Sequence, residues 1–159
     1  MCDWVCYCLV SLEKNNTYIG ATNNIEKRLN NHNSKSPSRT GAKYTRGQTW
    51  IVAVLVTGFA TKNSCLSFES GWKRLSKRRN KKRLTNLNFL SQIKLKYTRD
   101  TLNNRIIDLL YFVNYATSDG KKYRMSNKKL YTISNNLVIY SINNVDMLKW
   151  PPYVKTKLF

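Results

Sequence analysis

The chain begins with two apolar segments separated by a polar break. Residues 4–12 and 17–21 are rich in β-branched and aromatic types, and the polar residues 13–16 lie between them. Short runs of this kind on either side of a polar connection are typical of a β-hairpin. We therefore expect two antiparallel strands at the start of the chain.

From Asn23 the pattern changes to helical spacing. Asn23 is a candidate N-cap, and Glu26 follows three residues later, as in a capping box. Ile25 and Leu29 form an apolar pair four residues apart, which places them on one helix face. These features predict a short helix over about residues 25–32.

The most apolar segment, residues 50–59, follows a polar and basic loop over residues 34–47. A near-continuous apolar run ended by glycine is expected for a strand that is buried on both faces, and we place it centrally in a small sheet. Thr61 or Asn63 is the candidate cap of a second helix, in which apolar residues recur at helical spacing. That helix leads into a charge-dense run over residues 76–83.

Periodicity is weaker in the second half of the chain. An apolar stripe predicts an amphipathic helix over residues 100–115, whereas residues 129–148 fit short strands or turns equally well. Together the patterns predict an α+β fold. We expect a small sheet of about three strands flanked by helices in residues 1–83, and a mainly helical C-terminal extension over residues 84–159, with possible short strands.

Basic residues greatly outnumber acidic ones. The chain contains 28 Lys and Arg against 8 Asp and Glu, which gives a formal charge of +20 and a pI near 10.1. An excess of this size exceeds what solubility requires and indicates a polyanionic partner. No apolar run approaches the roughly 20 residues that span a bilayer, and the basic residues form no clear amphipathic anchor. Nucleic acid is therefore the expected partner, and membrane association is not expected.

The N-terminal segment and the cysteines indicate an intracellular protein. Asp3 precedes a short apolar stretch without a basic n-region, so we expect no secretory signal peptide. The cysteines, Cys2, Cys6, Cys8 and Cys65, have no histidine cluster that would complete a zinc site and are expected to be reduced. We expect localisation in the nucleus or at a site of viral DNA replication if the source is eukaryotic or viral.

Polar residues that could act on a phosphate follow one another in ordered blocks. Val5-Cys6-Tyr7 is followed by Tyr18-Ile19-Gly20, then by Arg28 and His32, and finally by Glu69. In order and spacing this series resembles the GIY-YIG nuclease family, although Val5 and Cys6 replace the family's Gly-Ile. It is most similar to the Slx-type branch, whose members are structure-selective nucleases of branched DNA.

The resemblance implies a metal-dependent endonuclease that hydrolyses phosphodiester bonds in DNA. Its substrates would be flaps, forks or Holliday junctions in recombination, repair or replication, and the first part of the chain would be the nuclease domain. The catalytic residues would be Tyr7, Tyr18, Arg28, His32 and Glu69. Such a reaction needs an activated water, a cation near the developing negative charge and groups that hold the phosphate in line.

Glu69 is the candidate metal ligand. It is the only acidic residue between Glu26 and Asp100, and a carboxylate of this kind is a suitable ligand for Mg²⁺ or Mn²⁺. One carboxylate indicates a single-metal site. The alternative is an ion pair with Lys73 at i, i+4, which contributes only about 0.3–0.5 kcal/mol on a helix surface.

Arg28 and His32 are four residues apart and therefore project from one face of the predicted helix. There Arg28 can hold a phosphate, and His32 can form a hydrogen bond or transfer a proton. Tyr7 is the candidate for activating or positioning water, and Tyr18 for orienting the phosphate or a metal-bound water. Gly20 would allow a close backbone approach. The alternative is a structural role for each, on a solvated helix face or in the packing of the hairpin.

A set of basic and aromatic side chains on the two predicted helices and the loop between them is expected to contact DNA phosphates. These residues are Lys27, Lys35, Arg39, Lys43, Tyr44, Arg46, Lys73, Arg74, Lys77 and Arg78. For each residue alone, a solvated basic face is the alternative. Because phosphate contacts carry no base information, binding should be salt-sensitive and should select DNA shape more than sequence.

The sequence of the C-terminal extension does not decide between several biological roles. Slx-type nucleases usually carry a cysteine-rich zinc domain that docks a scaffold partner, whereas no Cys or His follows Cys65 here. Residues 84–159 are expected to bind DNA or to pack on the nuclease domain, and a protein scaffold or activating subunit stays open. The alternatives are a basic protein that coats nucleic acid without cutting it, a mobile-element (homing-type) nuclease with a sequence-reading domain, and a repair nuclease similar to the UvrC N-terminal domain.

Overall fold

A computed structural model describes residues 3–34, 42–80, 99–117, 123–124, 130–131, 136–146 and 148–159. Side chains are described at these positions except at residues 78–80, 115–117, 123–124 and 130–131. The elements are β1 Val5–Ser11, β2 Thr17–Thr22, α1 Ile25–Asn33, β3 Trp50–Thr57, α2 Lys62–Asn80, α3 Thr101–Thr117, β4 Tyr123–Arg124, β5 Leu130–Tyr131, β6 Leu137–Ser141 and β7 Val154–Leu158. One turn of 3-10 helix, Lys43–Thr45, lies between α1 and β3.

Five strands form the main sheet, in the order β2-β1-β3-β6-β7, and the short strands β4 and β5 pair separately. β6 and β7 run parallel to each other, whereas the other neighbours in the main sheet are antiparallel. The predicted α+β class and the predicted hairpin are confirmed. The sheet is larger than the three strands expected, because β6 and β7 of the C-terminal extension continue it beyond β3.

Gly58 makes room for this continuation. It follows β3 with a φ of 93°, in the left-handed region that glycine enters without steric cost. A Cβ at this position would overlap the backbone carbonyl oxygen of Asn136, which directly precedes β6. The glycine that ends the apolar run therefore lets β3 turn towards α2 while β6 pairs beside it.

The cap of α1 lies one residue later than the sequence indicated. Oδ1 of Asn24 accepts from the N–H of Lys27 at 2.9 Å, so Asn24 and not Asn23 is the N-cap. The N–H of Asn24 donates to Oγ1 of Thr22 at 3.1 Å. Thr22 thus fixes the turn between β2 and the helix and selects the second of two adjacent asparagines.

Side-chain oxygens also cap α2 and α3. Oγ1 of Thr61 accepts from the N–H of Ser64 at 3.1 Å, which selects Thr61 over Asn63 as the cap of α2. Oδ1 of Asp100 accepts from the N–H of Leu102 at 2.9 Å at the start of α3. Within the described part of the chain, no helix is long and apolar enough to cross a membrane.

Two helices, α2 and α3, pack on one face of the sheet. The core on this side is formed by buried apolar side chains from β1, β3, α2, α3 and β6, and includes Cys6, Val54, Phe68, Leu109 and Ile139. Burial of such side chains is the main stabilising contribution to the fold. The helix of the C-terminal extension therefore shares one core with the first part of the chain.

The opposite face of the sheet is covered in part by α1, and we call it the α1 face. Tyr7, Leu9 and Trp50 are buried there, and Ile25 and Leu29 of α1 pack against them. Side chains alternate between the two faces along a strand, so Tyr7 and Leu9 point away from α2 and α3. The candidate site lies on this face.

Polar contacts also tie α3 to α2 and to β2. Nε1 of Trp72 donates to the backbone oxygen of Arg105 at 3.0 Å, and Oγ of Ser76 donates to Oδ2 of Asp108 at 2.7 Å. Nε of Arg105 donates to Oγ1 of Thr17 at 2.9 Å. Asp108 is fully buried, so the hydroxyl of Ser76, together with Nη1 of Arg105 at 4.0 Å from the same oxygen, compensates the desolvation of its carboxylate.

Candidate active site

Tyr7 occupies the centre of the α1 face. It lies on β1 directly opposite Gly20 of β2, and its side chain is fully buried. A Cβ at Gly20 would overlap the phenol oxygen and Cζ of Tyr7. The close approach expected at Gly20 is therefore an approach by the Tyr7 ring, which lies over the glycine.

Arg28 and His32 both reach the hydroxyl of Tyr7 from α1. Nε of Arg28 lies 3.1 Å from the Tyr7 oxygen, and Nε2 of His32 lies 3.0 Å from the same atom. The i, i+4 spacing of the two residues places both on the helix side that faces the sheet. The structure thus brings together three of the predicted site residues within hydrogen-bonding distance.

The direction of these hydrogen bonds follows from Thr45. Its hydroxyl donates to the carbonyl oxygen of Ala42 at 2.8 Å and therefore accepts from Nδ1–H of His32 at 2.9 Å. A neutral imidazole that carries its proton on Nδ1 has its acceptor at Nε2. Tyr7 must then donate its proton to His32, while Arg28 donates to the Tyr7 oxygen.

Burial determines the protonation states of this cluster. Loss of solvent, together with the nearby Arg28 cation, lowers the pKa of His32 to about 4. Burial raises the pKa of Tyr7 to about 12, although the hydrogen bond from Arg28 opposes that rise. At neutral pH the cluster therefore contains a neutral imidazole, a neutral phenol and one guanidinium cation.

Tyr18 lies beside the same cluster. Its ring centroid is 4.8 Å from that of His32 and 6.4 Å from that of Tyr7. The Arg28 guanidinium interacts with the hydroxyls of both tyrosines. Tyr18 is half-buried, so its ring forms part of the floor of the site and remains accessible to a ligand.

Glu69 lies on α2, which packs beside the edge strand β2. Its Oε1 pairs with Nζ of Lys73 at 2.6 Å, and its side chain is 16% exposed. Nζ of Lys73 in turn lies 5.5 Å from the ring centroid of Tyr18. The i, i+4 ion pair considered as the alternative to metal binding is thus present, and Lys73 connects it to Tyr18.

The chemistry of Glu69 fits a magnesium or manganese ion. Among the described residues, no group of three or more His, Cys, Asp and Glu side chains could surround a metal, so these residues supply no complete ligand shell. Mg²⁺ commonly binds one or two carboxylates and takes its remaining ligands from water and substrate phosphates. A metal held by Glu69 would therefore depend on the nucleic acid for completion of its ligand shell.

Thr45 was not singled out by the sequence. It lies 13 residues after His32 in a polar loop, where no periodicity indicates a contact. The loop is fixed by Trp50, whose Nε1 donates to the backbone oxygen of Thr45 at 2.8 Å. Asn33 adds a second link, because its Oδ1 accepts from the N–H of Trp50 at 2.7 Å.

The predicted DNA contacts fall into two described groups beside this cluster. Those of α1 and the following loop are exposed, and those of α2 range from half-buried to exposed. The first group is Lys27, Lys43, Tyr44 and Arg46, and the second is Lys73, Arg74 and Lys77. Lys35, Arg39 and the side chain of Arg78 lie outside the described residues. Lys43, Tyr44 and Arg46 lie in the same turn as Thr45 or directly after it, and Thr45 contacts His32.

Comparison with protein families finds one match. Residues 3–83 match the GIY-YIG catalytic domain. This segment contains the whole cluster of Tyr7, Tyr18, Arg28, His32 and Glu69, and it ends after α2. The match covers about half of the chain and leaves α3, β6 and β7 outside it.

Similar proteins include viral, fungal and bacterial ones. An uncharacterized protein, L300, of Acanthamoeba polyphaga mimivirus is 50% identical over 160 residues, which cover 98% of this chain and 96% of that protein. The structure-specific endonuclease subunit SLX1 of Malassezia globosa is 44% identical over 73 residues, 45% of this chain. A UPF0213 protein of Bacillus licheniformis is 39% identical over 77 residues, 48% of this chain and 74% of that protein. The matched segment spans only 16% of the Malassezia protein.

Proposed function

The chain belongs to the GIY-YIG family, and from this premise we propose that it is a metal-dependent DNA endonuclease that prefers branched DNA. The observation that carries the proposal is the hydrogen-bonded chain from Arg28 through Tyr7 to His32. Tyr18 and the pair of Glu69 with Lys73 lie beside that chain. Together they supply a proton acceptor, fixed positive charge and a metal ligand in one site.

Tyr7 is the proposed acceptor of the proton from the attacking water. As its oxygen takes that proton, its own proton moves to Nε2 of His32, to which it already points. The water oxygen forms the new bond to phosphorus, and the bond to the leaving oxygen breaks with its electron pair on that oxygen. The imidazolium then holds the extra proton and can return it, as expected for general acid–base catalysis.

Arg28 and Tyr18 are proposed to hold the phosphate. A guanidinium presents several donors to phosphate oxygens and keeps its charge at every relevant pH. It therefore stabilises the negative charge that develops on the phosphate during the displacement. Tyr18, half-buried next to His32, can direct its hydroxyl to another oxygen of the same phosphate.

Glu69 is the proposed ligand of Mg²⁺ or Mn²⁺, which when bound would neutralise charge on the phosphate and polarise its oxygens. Lys73 would then leave Glu69, because the carboxylate oxygen that it contacts is a metal donor. The ammonium group could pair with a neighbouring phosphate. Lys73 is 39% exposed, so it has room for this movement.

Charge and relatives support branched DNA as the substrate. The formal charge of +20 favours any nucleic acid through its phosphates, and such contacts read shape more than sequence. Several relatives are named structure-specific endonuclease subunits. We propose residues 1–83 as the nuclease domain and residues 84–159 as an extension that binds DNA or packs on it, with a scaffold or activating subunit as a further partner.

The proposed substrate sets where the protein would act. A nuclease of branched DNA in recombination, repair or replication would work in the nucleus or at a site of viral DNA replication. The relationship to a mimivirus protein supports the viral setting.

Cleavage of labelled DNA tests the proposal directly. Duplex, 5′-flap, fork and four-way-junction substrates are incubated with Mg²⁺ or Mn²⁺ and either the wild-type chain or Glu69→Gln. We expect branch-selective cutting that requires metal and is lost in Glu69→Gln. The matched control is Glu26→Gln, which removes an exposed carboxylate from the first turn of α1 and should cut like the wild type.

A second function is favoured by one observation, the existing pair between Glu69 and Lys73 at 2.6 Å. If that pair is only structural, the chain is a basic protein that coats nucleic acid without cutting it. Tight binding by the wild type with no cutting in either metal would support the coating protein. Cutting that is unchanged in Glu69→Gln would instead leave a nuclease and contradict Glu69 as its metal ligand.

A further inference from the structure

A row of paired residues connects the candidate active site with the far edge of the sheet. Tyr7 pairs with Leu55, Leu55 with Tyr140 and Tyr140 with Lys157. Side chains of directly paired residues lie on the same face of a sheet. Tyr140 and Lys157 therefore lie on the α1 face, about 10 Å and 14 Å from Tyr7 at about 4.8 Å per strand.

Aromatic rings lie at this far end of the row. The rings of Tyr140 and Phe159 are stacked, with centroids 6.0 Å apart and planes at 30°. Phe159 is 56% exposed, and Tyr140 is half-buried. The hydroxyl of Tyr140 makes no hydrogen bond to any residue that the structure describes. The pair is thus an apolar surface open to solvent, in contrast to Tyr7, which α1 covers.

Two lysines flank these rings on the same face. Lys157 extends over the Tyr140 ring, with Nζ 5.6 Å from the centroid. Lys155 pairs with Val138, two positions before Tyr140 on β6, and is exposed. Neither lysine has an acidic partner among the described residues.

The other side of β7 has a different character. Val154 is buried, and the hydroxyl of Thr156 contacts the carboxylate of Asp146. The acidic side chain that contacts β7 therefore binds the face opposite to Lys155 and Lys157. Positive charge and exposed rings are thus concentrated on the α1 face, where the candidate active site also lies.

We propose that Tyr140, Lys155, Lys157 and Phe159, which we call the β6–β7 platform, bind an unpaired DNA strand that continues from the cleavage site. Exposed aromatic rings stack on base faces, and neighbouring lysines neutralise the phosphates between them. In a duplex the base faces are hidden by stacking, so only the lysines could engage it. The platform would thus select DNA with an unpaired arm, and this role rests on the nuclease function proposed above.

Binding measured without metal tests the platform separately from cleavage. Fluorescence anisotropy in EDTA compares a thymidine oligonucleotide with a blunt duplex, using the full chain. For the oligonucleotide we expect Phe159→Ala to weaken binding about fivefold to 100-fold with little change in the salt dependence. Lys155→Gln with Lys157→Gln should lower the slope of log K against log salt by about 1.4.

The matched control removes two exposed lysines elsewhere, with Lys14→Gln and Lys149→Gln. Lys14 lies between β1 and β2, and Lys149 contacts Asn114 of α3 through its backbone oxygen. The control variant should bind the oligonucleotide more nearly as the wild type does than the platform variants do. Duplex binding should change little in Phe159→Ala.

Three results would overturn the proposal. They are unchanged oligonucleotide binding in Phe159→Ala, an equal loss of duplex and oligonucleotide binding in Phe159→Ala, and oligonucleotide binding by the lysine control that is as weak as that of the platform variants. Failure of the nuclease proposal would appear differently, as intact wild-type binding to the oligonucleotide without cleavage of any substrate in Mg²⁺ or Mn²⁺. The two proposals can therefore fail independently.

Discussion

The hydroxyl of Tyr7 donates to Nε2 of His32 across 3.0 Å, and both side chains are buried. The contact joins β1 to α1 and leaves the proton of the phenol pointing at a neutral base. Arg28 donates to the same oxygen at 3.1 Å. An oxygen that accepts from a cation and donates to an imidazole is suited to take up a second proton while it releases its own.

This relay predicts a flat pH profile for the chemical step. The pKa of His32 is about 4 and that of Tyr7 is about 12. Both groups are therefore neutral between these two values. The single-turnover cleavage rate should therefore be nearly constant from about pH 6 to 9, the range over which neither group titrates. A rate that increases tenfold per pH unit would instead require a phenolate formed before the reaction and would contradict the relay.

Replacing Tyr7 with Phe tests the shared oxygen itself. Tyr7→Phe keeps the ring over Gly20 but removes the atom that contacts Arg28 and His32. The cleavage rate should fall about 100-fold or more, as for loss of a general base. DNA binding in EDTA should stay close to the wild type, and a parallel loss of binding would mean that the hydroxyl positions the substrate instead.

The buried imidazole also predicts acid sensitivity of the fold. The pKa of His32 is about 4 in the folded chain against about 6.5 in an unfolded one. Between these values the unfolded chain binds a proton that the folded chain does not, so stability falls as the pH falls from 6.5 towards 4. Above 6.5 His32 contributes no pH dependence.

Urea unfolding at pH 7 and pH 4.5 measures this effect. From His32 alone, the wild type should lose up to about 3 kcal/mol of unfolding free energy on acidification. His32→Gln lacks the titrating group and should lose correspondingly less, since the carboxylates titrate in both proteins. His32 is the only histidine, so equal losses in the two proteins would mean that it is not kept neutral by burial.

Apolar spacing carried much of the fold prediction. The hairpin and α1–α3 follow from runs and stripes that are long or strongly periodic. The sequence did not distinguish β6 and β7 from turns, because each strand has only five residues and the surrounding segment is rich in Asn and Ser. Their place in the sheet depends on the close approach at Gly58 and Asn136, which is a tertiary contact with no local signal.

The sequence likewise predicted only part of the candidate site. The i, i+4 spacing of Arg28 and His32 predicted a shared helix face, and the structure brings both to Tyr7. Thr45 orients His32 from a loop whose position depends on Trp50, so no spacing could indicate it. Lys157 reaches the α1 face only because β7 pairs with β6, which the sequence left undecided.

The pair of Glu69 and Lys73 predicts competition between ammonium and metal. Lys73→Met removes the group that holds Oε1 of Glu69, so the metal concentration for half-maximal cleavage should fall. Because a partly exposed ion pair contributes little free energy, we expect this metal concentration to fall only about two- to fivefold. Lys77→Met removes an exposed charge from the same helix and should leave the metal requirement unchanged. An unchanged metal requirement in Lys73→Met would contradict Glu69 as the ligand.

The contact between Gly20 and Tyr7 predicts that the glycine is required only because of the ring above it. Gly20→Ala places a methyl group where the Tyr7 phenol lies, and overpacking of this kind costs about 1–3 kcal/mol of unfolding free energy. In a Tyr7→Leu background the shorter side chain leaves room, so Gly20→Ala should cost less than about 0.5 kcal/mol, within the additivity error of such cycles. Urea unfolding of the four proteins gives the coupling energy. Equal costs in both backgrounds would place the strain in the β2 backbone instead of at the ring.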